Sequence, residues 1–341
     1  DGSIKAAASA PARTSCVFEW KAEVAAGRKG RAKKAADATE AAEAEGSGAF
    51  RLLDNKEDAP AEQPPGFVRW PLRLQQLRSL RWMQRCEEEP RYFDVVFSDL
   101  HCHPDGVRDA STLRAQARFE WRYNVRCREV YDIRGGILAD AMGYGKTATT
   151  IGLIDSSLNV PAPPIRSDLE RCFFRSQATL ILVPSNLVDQ WVGEFTKFLG
   201  VGRLRIYVVR TVSQLKAISK RRLCEEVDVV VCTYRLLYSP VYRKRLLELS
   251  GSDADAAARP SWAYAHMAQL RKNTKRFLAN PSSVDWEHTL PAEMGSLMFP
   301  VLEQVWWKRI VFDEFHELEA MGDSAQFQSL QNLCASYRWG L

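Results

Sequence analysis

No Cys-x-x-Cys pair occurs anywhere in the 341 residues, and the eight cysteines (Cys16, Cys86, Cys102, Cys127, Cys172, Cys224, Cys232, Cys334) are scattered. In a chain this long, that argues against a disulfide framework and for reduced thiols. No apolar run approaches the ~18 residues of a membrane span, and the N-terminus lacks an apolar signal core. Charge of one sign is missing too: 47 Lys+Arg face 42 Asp+Glu, a net of +5. Such a balance permits a nucleic-acid partner without arguing for one. No internal repeat is found. What is present, 46% hydrophobic and 26% charged residues, is ordinary globular usage and excludes wholesale disorder. A soluble, intracellular chain of about two domains is expected, with no membrane partner. It starts at Asp1 without Met and stops at Leu341, and reads as part of something longer.

Residues 1–66 differ from the rest. Ala, Gly, Pro and charge dominate, and a basic run (Arg28, Lys29, Arg31, Lys33, Lys34) precedes an acidic one (Glu40, Glu43, Glu45). So little apolar surface cannot offset chain entropy, which predicts a mostly disordered tail. The basic run suits nuclear targeting or a nucleic-acid patch, or is simply solvated charge. From Phe67 onward, short apolar runs alternate with helix-period segments. Strands are expected at Gly136–Ala139, Thr179–Val183, Leu204–Val209, Val227–Cys232 and Arg309–Phe312. Helices are expected after Lys146, with Ile151, Ile154 and Leu158 on one face, and after Ser185, with Leu187, Trp191, Phe195 and Phe198 on one face. This alternation predicts an α/β fold with a mainly parallel sheet flanked by helices. Residues 84–134 and 238–305 break the alternation and are expected to be helical insertions. His101-Cys102-His103 is too compressed for a zinc site without distant partners.

The segment Gly136-Ile137-Leu138-Ala139-Asp140-Ala141-Met142-Gly143-Tyr144-Gly145-Lys146-Thr147 carries the chemistry. An apolar strand, a glycine-containing loop and Lys-Thr opening a helix form the layout of a phosphate-binding loop. Glycines let backbone N–H groups surround an anion, and the helix N-terminus adds a favourable dipole. Lys146 would pair with the β- and γ-phosphates of ATP, and the Thr147 hydroxyl would hold magnesium. A partner carboxylate is supplied by Arg309-Ile310-Val311-Phe312-Asp313-Glu314-Phe315-His316. There Asp313 would hold magnesium, Glu314 would polarise the attacking water, and His316 would relay nucleotide state.

These residues resemble the Swi/Snf-type (sucrose-non-fermenting) helicase-like ATPases of superfamily two, whose own loop has Asp where Asp140 stands. Leu72-Arg73-Leu74-Gln75-Gln76-Leu77-Arg78-Ser79-Leu80-Arg81-Trp82-Met83 is similar to the family's adenine-recognition segment, which places the adenine-contacting glutamine at Gln76. Leu182 to Trp191 resembles motif Ia, Val229 to Leu237 resembles motif Ib, and Tyr337 to Leu341 resembles the lead-in to motif III. The resemblance implies a RecA-like P-loop lobe across 67–341, with the second such lobe lying outside this chain. Gln190-Trp191, Trp307-Lys308-Arg309 and Arg338-Trp339-Gly340-Leu341 are most similar to the post-replication-repair, RING-containing translocases, the branch of the helicase-like transcription factor.

The same resemblance implies an ATP and Mg2+ site, a nuclear location, and duplex DNA as partner, with chromatin or repair-fork proteins beyond it. Carried over by position, Asp140, Gly143, Tyr144, Gly145, Lys146 and Thr147 line the nucleotide. Ser185, Asn186, Thr233 and Tyr234 touch DNA phosphates, and Arg235, Arg243, Lys244 and Arg245 either add salt-sensitive affinity or form a solvated helix face. Trp191, Phe195 and Phe198 repeat at helical spacing and are expected in the core. Two departures stand out: Ala141 where the family has Glu, and Phe315 where it has a small residue. Neither removes a phosphate or magnesium ligand. Without a second lobe's arginine fingers, typically worth 10³–10⁵ in rate, the chain alone is expected to bind ATP–Mg and barely hydrolyse it. A DEAH-type RNA helicase lobe and a degenerate nucleotide- or DNA-binding scaffold are the alternatives.

Overall fold

Strands that are apolar at every position must be buried on both faces, and the sheet of this protein is built that way. The computed structural model describes residues 13–17, 55–56, 58–89, 101–103, 106–108, 126–130, 134–251, 262–284, 286, 297–316 and 325–341. The charged runs at 28–34 and 40–45 lie outside the described residues. Two compact units are formed. In the smaller, β1 (Arg13–Val17), β2 (His101–His103), β3 (Gly106–Arg108) and β4 (Arg126–Val130) make two antiparallel pairs, β1 with β4 and β2 with β3.

The larger unit takes residues 55–89 and 134–341. In chain order its elements are α1 (Leu74–Glu88), β5 (Gly135–Ile137), α2 (Lys146–Ser156), α3 (Ser167–Glu170), β6 (Phe174–Arg175), β7 (Thr179–Val183), α4 (Val188–Leu199), β8 (Ile206–Val209), α5 (Val212–Lys216), α6 (Lys220–Glu225), β9 (Val229–Thr233), α7 (Pro240–Ser250), α8 (Trp262–Ala279), β10 (Val305–Phe312), α9 (Ala325–Gln331) and β11 (Cys334–Gly340). The sheet runs β5-β11-β10-β7-β9-β8, with β6 beside the start of β10, and its pairings are parallel. Side-chain alternation along a strand divides the core in two. Leu180, Leu182, Val230, Cys232, Ile310 and Phe312 enter one cluster with residues of α5 to α9. Ile181, Val183, Val229, Val231 and Val311 enter the other with α1, α2 and α4.

Two expectations are corrected. Packing on the lobe begins near Asn55, not Phe67. Ala61 N–H donates to Leu77 O (3.0 Å), Gln63 exchanges two bonds with the Leu72 backbone (2.8 and 2.9 Å), and Gly66 N–H donates to Asp155 Oδ2 (2.6 Å). Polar side chains hold this segment, so apolar periodicity could not reveal it, and Arg13–Val17 in the expected tail is also a strand. Residues 84–88 belong to α1, with Cys86 and Glu87 buried. Residues 240–250 and 262–279 are helical, as expected of the second insertion, and their Leu246, Leu249, Leu270 and Phe277 complete one core cluster.

A buried ion pair ties the layers. Arg309, fully buried on β10, donates from Nε and Nη2 to the two oxygens of Glu87 on α1, both at 2.6 Å. Trp339 Nε1 on β11 donates to Glu87 Oε1 (2.9 Å), while Arg309 also reaches Thr179 Oγ1 (3.2 Å) and Ser157 Oγ (3.0 Å). Both charges thus gain further hydrogen bonds, the condition for a buried ion pair to be tolerated. On the opposite face, buried Glu303 accepts from the Tyr242 hydroxyl, which itself accepts from Leu302 N–H (2.7 Å). Burial pushes the Glu303 carboxyl up to about 7.

Removing one partner of the ion pair strands the other, so Glu87→Ala should cost about 3–5 kcal/mol in chemical unfolding. Glu87→Ala combined with Arg309→Met should cost less than Glu87→Ala alone. Because the folded state holds the Glu303 proton more tightly than the unfolded chain, that contribution is complete below about pH 4.5 and lost as pH rises through about 7. Melting temperature should therefore decline from pH 5 to pH 8.5, and Glu303→Gln should flatten the decline.

Candidate functional site

In a parallel sheet, the loops that leave the carboxyl ends of the strands gather along one edge, where such folds bind ligands. The loop after β5, the turn after β10 and the segments after β7 and β9 all leave that edge. The loop after β5 is shaped by two left-handed glycines, Gly143 (φ +85) and Gly145 (φ +87), the latter capping α2. A Cβ on Gly143 would meet nothing within 4 Å, whereas one on Gly145 would lie 2.2 Å from Gln76 Nε2. Gln76 occupies that space because Nε2 donates to Tyr144 O (3.1 Å) while Oε1 accepts from Arg73 N–H (2.8 Å). The glutamine expected at the adenine thus also splints the loop.

Ala141, Met142, Gly143 and Tyr144 are exposed at the crest of the loop. Lys146 Nζ donates to Asp140 O (2.9 Å). The Asp140 carboxylate accepts from Ser79 Oγ (3.3 Å), and Ser79 Oγ accepts from Asn55 Nδ2 (2.7 Å). Asp140, expected to line the nucleotide, therefore anchors the loop to α1. Lys146 and Thr147 open α2, whose first turn has no acidic side chain, leaving the positive end of the helix dipole unopposed.

Asp313, just past β10, is 8% exposed. Its Oδ2 accepts from Trp191 Nε1 (2.7 Å) and its Oδ1 from Glu314 N–H (3.1 Å). Burial raises its pKa, while these bonds and the Lys146 charge pull it back. The loop and this carboxylate leave the same edge of the sheet. Glu314 sits at φ +53 with a partly exposed carboxylate, 3.4 Å from His316 Nδ1. Trp191 is the residue that sequence reasoning missed: it is core, as its helical spacing implies, and its indole N–H also fixes Asp313. The Gln190-Trp191 pair was the available signal.

The expected DNA contacts divide. Ser185 and Asn186 are exposed beyond β7. Thr233 and Tyr234 are buried (2% and 5% exposed), so their side chains are not presented at the surface in this conformation. Tyr234 donates its hydroxyl to Asp313 O (2.8 Å) and so braces the turn. Thr233 Oγ1 is buried without a hydrogen-bond partner, a position costing about 1–3 kcal/mol. Of the basic cluster, Arg235 and Lys244 are exposed, and Arg245 is buried, donating to Phe299 O (3.2 Å) and Met298 O (3.0 Å).

The chain is similar in sequence to known proteins. A family model described as SNF2-related domain matches residues 75–341. The DNA (cytosine-5-)-methyltransferase DMT5 of Cryptococcus neoformans is 33% identical over 207 residues, 59% of this chain and 8% of that protein. DNA repair protein RAD5 of Candida albicans is 48% identical over 65 residues, 19% of this chain and 6% of that protein. DNA repair protein RAD5A of Arabidopsis thaliana is 26% identical over 236 residues, 55% of this chain and 23% of that protein. The chain spans less than a quarter of the length of each.

The two loop glycines make a matched pair for mutation. Gly143→Ala meets only backbone strain, on the order of 1 kcal/mol. Gly145→Ala meets similar strain and also displaces Gln76, and should lower the thermal midpoint by clearly more.

Proposed function

Because the chain belongs to the SNF2-related family, we propose that it is the ATP-binding lobe of a DNA-dependent ATPase that couples hydrolysis to movement on duplex DNA. The observation that carries this reading is the single sheet edge that both the glycine-capped Lys146 loop after β5 and the buried Asp313 after β10 leave. The residues present fit Mg–ATP: a glycine-capped helix with no acidic side chain in its first turn, a lysine at its start, and a buried carboxylate opposite. Lys146 would hold the β- and γ-phosphates, Thr147 and Asp313 the magnesium, and Gln76 the adenine. Magnesium, when bound, neutralises phosphate charge. Trp191 keeps one oxygen of Asp313 directed by a neutral donor, so the carboxylate stays oriented without a competing cation. Glu314 carries the partly exposed carboxylate that would orient water and accept its proton, with His316 against it.

On the DNA side, Ser185 and Asn186 supply an exposed hydroxyl and amide suited to sequence-independent phosphate contacts. Arg235, exposed after β9, would add salt-dependent affinity. The names of the relatives, a DNA methyltransferase and DNA repair proteins, support DNA as the partner and the nucleus as the location. Among the described residues, no helix is long and apolar enough to cross a membrane.

The test is Lys146→Ala in the full-length protein. ATP affinity should fall at least tenfold and turnover should be lost, with duplex DNA stimulating the wild type more than RNA does. Equal ATP binding by wild type and variant would instead indicate a scaffold, and preferential stimulation by RNA would indicate an RNA helicase.

A further inference from the structure

Among the described residues, Glu314 and Phe299 are the non-glycine positions at positive φ. A left-handed glutamate costs on the order of 1 kcal/mol or more and persists only where its surroundings over-determine it. At Glu314 those surroundings are identifiable. Its own N–H donates to Asp313 Oδ1 (3.1 Å). The next residue, Phe315, donates its N–H to Leu341 O (3.0 Å), and Leu341 N–H donates to Phe312 O (2.9 Å). Two backbone bonds thus continue the β10–β11 pairing past the ends of both strands. The Phe315 ring then lies over Gly340: a Cβ built there would be 2.9 Å from the ring's Cγ and 3.2 Å from its Cβ and Cδ2. The ring also meets Phe312 edge-on at 6.4 Å and packs against the core cluster on that face.

The ring and the glycine are therefore complementary. Only a residue without a side chain at 340 lets the ring close down, and the ring at 315 covers that glycine. We propose that Phe315 is a positioning residue for hydrolysis: by seating on Gly340 it holds Glu314 in its left-handed conformation and fixes where the Glu314 and His316 side chains stand relative to the end of β11. This inference rests on the proposed ATPase activity. With a small residue at 315, the backbone bond to Leu341 loses its packed cover. Glu314 is then free to relax to an ordinary φ, which swings its carboxylate away from the lysine-and-aspartate edge. Nucleotide binding, which draws on Gln76, Lys146, Thr147 and Asp313, does not need the ring. The signature of positioning is accordingly a loss in kcat without a matching change in KM.

The experiment uses full-length protein with duplex DNA present and compares wild type, Phe315→Ala, Phe315→Leu, Gly340→Ala and the double variant Phe315→Ala/Gly340→Ala. Expected are a fall in kcat of fivefold or more for Phe315→Ala, with KM for ATP and affinity for a fluorescent ATP analogue within twofold of wild type. Phe315→Leu should be intermediate. Gly340→Ala should also lose kcat, and the double variant should be more active than Gly340→Ala, because the added methyl then has room. Should Phe315→Ala unfold at the assay temperature, Phe315→Leu and Gly340→Ala carry the same comparison. Unchanged kcat in Phe315→Ala, a parallel rise in KM, or no relief in the double variant would overturn the inference and leave the ATPase activity intact. A wild type with no turnover at all would overturn both.

Discussion

The arrangement depends on one buried contact, the Glu87–Arg309 ion pair. Taken singly, either charge would be a severe liability in the core; together, with Trp339, Thr179 and Ser157 adding further bonds, they fasten α1, β7, β10, β11 and the end of α2 at one point. The geometry of the nucleotide edge is set from there. Four residues beyond Arg309 is Asp313. Roughly 16 Å back along α1 from Glu87 is Gln76, which supports the phosphate loop from beneath through Tyr144 O. α1 is thus a strut with one end fixed in the sheet and the other under the loop.

The groups around Asp313 come from several segments at once. Its carboxylate is held by Trp191 Nε1 and Glu314 N–H, and its carbonyl by Tyr234. Trp191 comes from the helix after β7, Tyr234 from the turn after β9. Both belong to segments that resemble the DNA-facing motifs of the family. Any shift of those segments on meeting DNA would be felt directly at the residue expected to hold magnesium. The unpartnered Thr233 hydroxyl sits beside this junction and marks it as the part of the edge whose polar groups are not fully satisfied in the present conformation.

Much of the fold is legible in the chain itself, and the rest is hidden for identifiable reasons. Thr179–Val183 reads as a buried strand because it is almost wholly apolar and both faces are covered. The phosphate loop reads clearly because its parts are adjacent in sequence. β11 does not: Cys-Ala-Ser-Tyr-Arg-Trp-Gly looks like a polar connection, and the carbonyls that receive the part-buried Arg338 guanidinium come from Leu330 on α9 and Leu333 just after it. Trp191 has a helical period consistent with core, and the acceptor of its N–H is 122 residues away. Tyr234 matches a motif position whose side chain turns inward here. Local pattern conveys which residues matter, and long-range hydrogen bonding decides what they do.

The place of β11 has a consequence for how the protein is made. It lies between β5 and β10, so the loop-bearing strand and the carboxylate-bearing strand are never direct neighbours. During synthesis β5 must wait for about 200 further residues before its partner in the sheet emerges, roughly 10–40 s at ordinary translation rates. Until then its paired edge is open, and the two halves of the nucleotide site have no common frame. Nascent chains should consequently acquire the nucleotide edge in one step, when seven-residue β11, about 200 residues behind β5, enters the gap.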